Sequence, residues 1–411
     1  MGVGSRGTRR RAAITSAICI RTSAWALVPV RSAGPLARAR TLTFTRITIL
    51  ALAIAVALVS GCATPGADLV ADAGQAPALA RAALTDLDPL VAPKTYEGPT
   101  TAVMASAGIV PVATDPTPVL PTTVTDSQGT EVTVHDASRI LALDLYGSTS
   151  RIVFELGLGA RVVGRDTSSA FAEIADLPLV TENGHELSAE AILELAPSVI
   201  VTDTSLGPWD AILQMRDAGI PVVVVDAHRD IESAATLIQQ VADALGVPAE
   251  GQVLAQRTAD EVAATTTAIA SLAPTEPDLK LRIVFLYVRG QAGVYYMFGK
   301  NSGADSLIAA LGGVDVASEI GWEGMRPVTD EGLVAAEPDL LLMMTEGLAS
   351  VGGVDGLLER LPAVAQTPAG QRRRIVDMDD REVLAFGPIT ADVLDALARA
   401  IYAPDPSGDT P

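Results

Sequence analysis

One stretch of this 411-residue chain occurs twice. Ser188-Ala189-Glu190-Ala191-Ile192-Leu193-Glu194-Leu195-Ala196-Pro197 runs into Ser198-Val199-Ile200-Val201-Thr202. Shifted by 141 positions, Thr329-Asp330-Glu331-Gly332-Leu333-Val334-Ala335-Ala336-Glu337-Pro338 runs into Asp339-Leu340-Leu341-Leu342-Met343. Each copy reads as a short helix, stopped by a proline, that leads into an apolar strand. A second pair keeps the same order: Arg139-Ile140-Leu141-Ala142-Leu143 is echoed by Arg282-Ile283-Val284-Phe285-Leu286. Two matches in one order imply two homologous lobes.

The pattern around the copies is α/β. Strands are expected at Arg139–Asp144, Arg161–Asp166, Ser198–Asp203 and Ile220–Asp226, then at Leu281–Val288, Leu340–Met344 and Arg374–Met378, with helical periodicity between them. Continuous apolar strands separated by helices call for parallel sheets covered on both faces. A hairpin around Ser127-Gln128-Gly129, flanked by Thr123-Val124-Thr125 and Glu131-Val132-Thr133-Val134, opens the folded part near Thr122. Between the two series, Ala249 to Ala273 has no Gly or Pro after Gly251 and sets Val253, Leu254, Val262, Ala263, Ile269 and Leu272 on one stripe. Pro248 and Pro274 suit its two ends, and such a helix spans roughly 37 Å. The expected organisation is a first lobe over 122–248, a joining helix over 249–274, a second lobe over 275–405 and a disordered tail over 406–411. A ligand cleft would lie between the lobes.

Residues 1–61 carry nine arginines and no acidic group. Arg38, Arg40 and Arg46 precede an apolar run from Ile47 to Val59, too short to span a bilayer, that ends in Leu58-Val59-Ser60-Gly61-Cys62. A basic region, a short apolar run and small residues at the cut mark a secretory signal. Cys directly after Ser-Gly resembles a bacterial lipobox, which implies diacylglycerol on Cys62 as the new N-terminus. The Arg-rich residues ahead of the signal lack any pattern, and no Met follows Met1 until Met104, which suggests an over-extended start. Residues 62–121, rich in Ala, Pro, Thr and Asp, read as a disordered tether.

Removing residues 1–61 leaves twenty basic against forty-nine acidic side chains, a net charge of −29. Nucleic-acid binding is excluded, because neutralising phosphates needs clustered Lys and Arg. Cys19 lies in the removed segment, so the mature chain keeps Cys62 alone and has neither a disulfide framework nor a Cys-based metal site. Three histidines argue against a zinc or manganese importer. No G-x-S-x-G elbow, P-loop or H-E-x-x-H motif is present, so the chain reads as a binding protein and not an enzyme.

Leu156-Gly157-Leu158-Gly159-Ala160-Arg161-Val162-Val163-Gly164, the Ser188–Asp203 segment and Leu311-Gly312-Gly313, arranged around the long helix, resemble the substrate-binding proteins of ABC importers for haem, siderophores and cobalamin. The resemblance spans about 122–403 and implies two Rossmann-like lobes joined by a single long helix, the class III periplasmic-binding-protein fold. Asn183-Gly184-His185-Glu186-Leu187-Ser188, Tyr287-Val288-Arg289-Gly290 and Val294-Tyr295-Tyr296-Met297-Phe298-Gly299 resemble the haem-binding branch of actinobacterial haemin importers (the HmuT type). That resemblance implies His185 and Tyr287 as axial ligands of haem iron from opposite lobes, with Arg289 hydrogen-bonded to the tyrosine. It also implies docking of Glu190 and Glu331 on an ABC permease dimer with its ATPase subunits. The receptor would be monomeric and held by its lipid on the extracytoplasmic face of the cell membrane.

The chemistry suits these roles. Haem iron takes His nitrogen and Tyr oxygen axially. A phenol ordinarily ionises near pH 10 and is helped by a nearby guanidinium. Strand positions two apart share a side, so a Tyr-x-Arg converges on one site. Taken singly, His185 reads equally as a loop histidine, Tyr287 as a core aromatic, Arg289 as a surface charge, and Glu190 and Glu331 as helix starters that complement the dipole. Met297 is a candidate soft ligand but better suits a pocket wall or core. His135 and His228 read as solvated. Arg326, the repeat equivalent of His185, is a candidate partner for a haem propionate. The alternative within the same fold is a ferric siderophore or cobalamin receptor.

Overall fold

The computed structural model describes residues 81–106, 108–181 and 184–404. The signal, Cys62, the first part of the expected tether and the tail over 406–411 lie outside the described residues. In chain order the first strand is β1 (Thr100–Ala102), followed by the hairpin β2 (Thr122–Thr125) and β3 (Glu131–Val134). The N-terminal lobe continues with β4 (Ile140–Leu143), α1 (Ser148–Glu155), α2 (Ala189–Glu194), β5 (Val199–Thr202), α3 (Trp209–Asp217), β6 (Val222–Val224) and α4 (Ala234–Ala244). The joining helix α5 covers Pro248–Ile269.

Strands β4, β5 and β6 form a parallel sheet in that order. Successive residues feed opposite faces, and both faces are buried. Ile140, Ala142, Val199 and Val201 join one apolar cluster; Leu141, Leu143 and Ile200 join the other. The strand expected at Arg161–Asp166 is absent. That segment bridges Ile140 at Val162 and Leu179 at Arg165, so it changes partner at Gly164 before a ladder can form.

The C-terminal lobe contains β7 (Arg282–Arg289), β8 (Val294–Phe298), α6 (Ala304–Ala310), β9 (Val314–Asp315), α7 (Val316–Glu319), β10 (Met325–Pro327), α8 (Asp330–Ala336) and β11 (Leu340–Met344). It ends with α9 (Thr345–Ser350), α10 (Gly353–Arg360), α11 (Pro368–Gln371), β12 (Ile375–Met378) and α12 (Thr390–Tyr402). Its sheet runs β1-β12-β11-β7-β8-β10, with β9 also paired to β7. The members β1, β12, β11 and β7 are parallel, and β8 and β10 extend them antiparallel.

The repeat is structural in detail. Ser188 caps α2 by accepting from the Ala191 amide, and Thr329 caps α8 by accepting from the Gly332 amide. Both helices end in a non-glycine left-handed residue before proline, Ala196 (φ 42°) and Glu337 (φ 43°), a conformation that costs roughly 1–2 kcal/mol. One arginine offsets that cost in each lobe. Arg139 donates to the carbonyls of Leu195 and Ala196 at 2.5 and 3.0 Å, and Arg282 donates to those of Ala336 and Glu337 at 2.9 and 3.4 Å. The Arg139 amide donates to Ser198 and the Arg282 amide to Asp339. The helix exits and the paired strands β4–β5 and β7–β11 are thus built by one device used twice.

Helix α5 begins at Pro248, in the first turn where its missing N–H costs nothing. It stops at Ile269 and not near Ala273, because Ala270 to Ala273 tighten into a final turn.

The expected tether over 62–121 is ordered from residue 81. The segment from 81 to 104 lies along the C-terminal lobe: β1 adds a strand beside β12, the Leu90 amide donates to the Tyr402 carbonyl, and Leu84 and Met104 are buried in the lobe's core. The segment from 108 to 119 lies along the N-terminal lobe: the Val112 amide donates to the Glu155 carbonyl, the Val119 amide to the Gly246 carbonyl, and Arg257 to the Val110 carbonyl. Its composition cannot build a core of its own; it shares the cores of both lobes. Leu84→Ala in the chain from residue 63 onward should therefore cost about 2–4 kcal/mol of unfolding free energy in urea. A free tether would leave the midpoint unmoved.

Candidate ligand-binding site

In the N-terminal lobe the site side lies at the C-terminal ends of the parallel strands, where α/β sheets hold ligands. Asp144 follows β4 and Asp203 follows β5, both fully buried. The Asp144 carboxylate accepts from the amides of Tyr146, Ser148 and Thr149, which fixes the start of α1. Arg229, also buried, donates to Asp203 at 2.6 Å and to Asp144 at 3.2 Å, and lies over the Tyr146 ring. Asp166 joins the group by accepting from the Asp144 and Ser169 amides. Burial and the Asp144 charge push the Asp166 carboxyl up to about 7. The same two causes lift Asp203 to about 6 against the pull of Arg229.

The loop that carries His185 enters α2. It is held by the Leu187 amide on the Gly207 carbonyl, the Ser188 amide on the Val180 carbonyl, and the Thr167 hydroxyl on the Gly184 carbonyl. His185 is solvent-exposed. Its imidazole is nevertheless shifted below its ordinary 6.5, first by partial desolvation among surrounding protein and then by the positive charge of Arg289. The charge of Arg289, at the end of β7 in the second lobe, thus acts on His185 in the first.

On β7 the side chains alternate. Phe285 and Tyr287 face one apolar cluster, and Val284, Leu286 and Val288 face the other. Tyr287 is half-buried, stacks on Phe298 with ring centroids 6.2 Å apart, and pairs across the strands with Tyr296. The Arg289 guanidinium sits over the Tyr287 ring, 4.5 Å from its centroid. It donates to Asp380 at 2.7 Å and to its neighbour's carbonyl, that of Val288. The expected Arg289 hydrogen bond to the Tyr287 hydroxyl is not among the contacts of the described residues; the cation covers the ring face instead. Asp380, whose other oxygen takes the Glu346 amide at 2.8 Å, orients Arg289 and has no sequence signal of its own.

Arg326 is exposed on β10 and pairs with Met297. Residues directly opposed across strands share a face, so Arg326 lies on the Met297 side. Met325 and Pro327, opposite Phe298 and Tyr296, lie on the side of Tyr287. Met325 is half-exposed there (53%), an apolar surface next to the tyrosine that sequence reading had not singled out. Met297 is fully buried in the core on the other face. Glu190 and Glu331 are exposed in the first turns of α2 and α8, His135 is exposed, and exposed His228 pairs with Asp230 at 2.7 Å. Among the described residues, no cluster of three or more His, Cys, Asp or Glu could hold a bare metal ion.

A cavity of about 220 Å³ lies between the lobes, and neither His185 nor Tyr287 is among the residues that line it. Tyr146, Arg151 and Phe171 line it from the first lobe, and Asp379, Arg381 and Glu382 from the second. Burial, then the Asp379 charge, lift Glu382 to about 7.

The raised carboxyls give a pH dependence of defined sign. Asp166 and Asp203 bind protons more tightly folded than unfolded. The stability they contribute is complete below about pH 4 and is lost as pH rises through about 6 to 7. Asp166→Asn should therefore gain on the wild type as pH rises from 5 to 8, by on the order of 2 kcal/mol at one unit per 1.36 kcal/mol. Urea midpoints of both proteins at the two pH values measure this, and a pH-independent difference would count against a buried, proton-sharing Asp166.

A family model of the periplasmic binding proteins matches residues 144–382. Among solved structures, the chain is 42% identical to the haem-binding protein HmuT, covering 76% of this chain and 99% of that one with a TM-score of 0.71. HmuT has also been solved with a histidine, a tyrosine or an arginine replaced by alanine, the tyrosine and arginine being two positions apart. The periplasmic haem-binding protein RhuT from Roseiflexus sp. RS-1 is 37% identical over 65% of this chain and 98% of its own, with a TM-score of 0.59. An uncharacterised ABC transporter substrate-binding lipoprotein, YvrC of Bacillus subtilis (strain 168), is 24% identical over 290 residues, 70% of this chain and 87% of that protein. With its two repeat-built lobes, the single helix α5 between them and a match over more than half its length, the chain belongs to the periplasmic binding protein family and has that family's class III fold.

Proposed function

We propose that this protein is a haem receptor of an ABC importer, which takes haem between its lobes with His185 and Tyr287 as axial ligands. One observation carries the reading: the exposed His185 loop of the first lobe lies within electrostatic reach of Arg289, which covers the Tyr287 ring in the second. Support comes from the similarity to HmuT, whose replaced tyrosine and arginine have the spacing of Tyr287 and Arg289.

The chemistry follows from the side chains. His185 is held below its ordinary value, so it is neutral at pH 7, the form that ligates iron. Arg289, fixed by Asp380, keeps positive charge against the ring whose oxygen ferric iron takes as phenolate. Tyr296 and Met325 on the same face offer apolar surface to a porphyrin. Arg326, on the opposite face of the strands, can meet a propionate only at the exposed edge. The reading also includes a lipid on Cys62 that holds the protein at the extracytoplasmic membrane surface, a single receptor chain, and delivery to a permease dimer with its ATPase subunits through Glu190 and Glu331. YvrC, a substrate-binding lipoprotein, supports this arrangement.

Titration of residues 63–411 with haemin should produce a Soret band at one-to-one or higher stoichiometry. Its affinity should fall only at a lower pH than an ordinary imidazole would give, because desolvation and Arg289 hold His185 below its usual value. His185→Ala and Tyr287→Phe should each weaken binding by at least about tenfold, or 1.4 kcal/mol; Tyr287→Phe keeps the stack on Phe298 and removes only the oxygen. Asp380→Ala should weaken it several-fold with the tyrosinate signature retained. Unchanged affinity in both ligand variants, or binding of a ferric siderophore or cobalamin in place of haemin, would remove the assignment.

A further inference from the structure

The repeat carries more than a pair of carboxylates. Burial is matched along its two copies: Ile192 and Leu333 are buried, Pro197 and Pro338 are buried, and Glu190 and Glu331 are exposed. At the position three residues after each glutamate, both copies expose a large apolar side chain, Leu193 at 45% and Val334 at 36%. A lone exposed leucine carries no meaning. Two at equivalent positions, in copies that differ at most other residues, require a common cause.

Positions i and i+3 are neighbours on a helix surface, so each apolar group shares a face with its glutamate. Asp330 adds a second acid one turn before Val334, and Glu194 a second one turn after Glu190. Each lobe therefore presents one exposed apolar side chain with an acidic neighbour on the same helix face. The body behind both patches is acidic overall, with a net charge of −29 after residue 61.

We infer that Leu193 and Val334 are apolar contacts of the permease-docking surface, each seated in an apolar socket bordered by basic groups on one subunit of a two-fold membrane dimer. This rests on the importer-receptor reading and extends it. A homodimer displays every surface twice, and the two homologous lobes offer it two near-copies of one patch. Charge complementarity sets the orientation and the encounter rate. The apolar pair gives the docked state the buried centre that such interfaces need.

The test uses the full lipoprotein in cells of the source organism that lack the wild-type gene, with uptake of radiolabelled haem as the readout. Leu193→Asn with Val334→Thr keeps side-chain size and removes apolar surface. Uptake should fall at least about tenfold, while the purified variant titrates with haemin as the wild type does, which also shows that it is folded. Leu213→Asn with Val253→Thr, exposed apolar positions outside the repeat, should leave uptake intact. Normal uptake in the Leu193/Val334 variant alongside loss in Glu190→Ala with Glu331→Ala would overturn the apolar contact and keep the docking face. Normal uptake in both would overturn docking through these helices altogether. Equal loss in the Leu213/Val253 pair would also overturn the inference.

Discussion

Two carboxylates at adjacent strand ends repel, and burial makes the repulsion worse; Asp144 and Asp203 coexist because Arg229 bridges them. Everything on the cleft side of the first lobe depends on that bridge. Asp144 holds the first turn of α1, Asp203 accepts from the Ser205 amide at 2.8 Å in the loop after β5, and Asp166 ties in the segment that leads to Ser169. The arginine's own loop reaches the second lobe, where the Ile231 amide donates to Ser306 and the Arg229 carbonyl crowds the Cα of Gly303. A side chain at Gly303 would collide with that carbonyl, so the glycine is what lets the lobes approach there. Removing Arg229 would strand two buried charges, the costly way to break such a network.

The second lobe solves its version of the problem with a different cation. Arg289 is less buried, pairs with Asp380, and spends its face on Tyr287 in place of a second carboxylate. The repeat thus conserves architecture while the chemistry diverges. Arg139 and Arg282 do the same task at both helix exits, yet Ser198 in one lobe is Asp339 in the other, and the residue three positions before the capping residue of α2 or α8 is His185 in one and Arg326 in the other. Homologous scaffolds thus hold unlike side chains at equivalent positions.

Much of this was legible because it is local. The copies at Ser188 and Thr329 show their helices, stops and strands in consecutive residues, whereas the stripe expected on α5 held only in part: Leu254, Ile269 and Leu272 are buried, but Val253 and Ala263 are exposed. What the sequence concealed depends on distant partners. Leu84 and Met104 look like tether residues until β12 and α12 supply the core they enter. Asp380 sits in an acidic run, Asp377-Met378-Asp379-Asp380, and nothing local says which of these reaches Arg289, 91 positions away. The face of Arg326 could not be read locally because register decides it: a one-residue step along a strand reverses the side, and the pairing of β10 with β8 puts Met325, not Arg326, on the side of Tyr287. At Gly164 an apolar run lost its strand by exchanging partners midway.

The ordered segment over 81–121 changes the mechanical picture as well. With α5 alone the lobes would share one connection; the segment adds a second, bonded to α12 and β12 on one side and to α1 and α5 on the other. The lobes are therefore each bonded to this segment as well as to α5. The exposed His185 loop is continuous with α2: Ser188 both ends the loop and caps the helix, with its amide on Val180 and its hydroxyl on Ala191. A partner seated on Glu190, as proposed, would therefore touch the helix whose capping residue also closes the His185 loop.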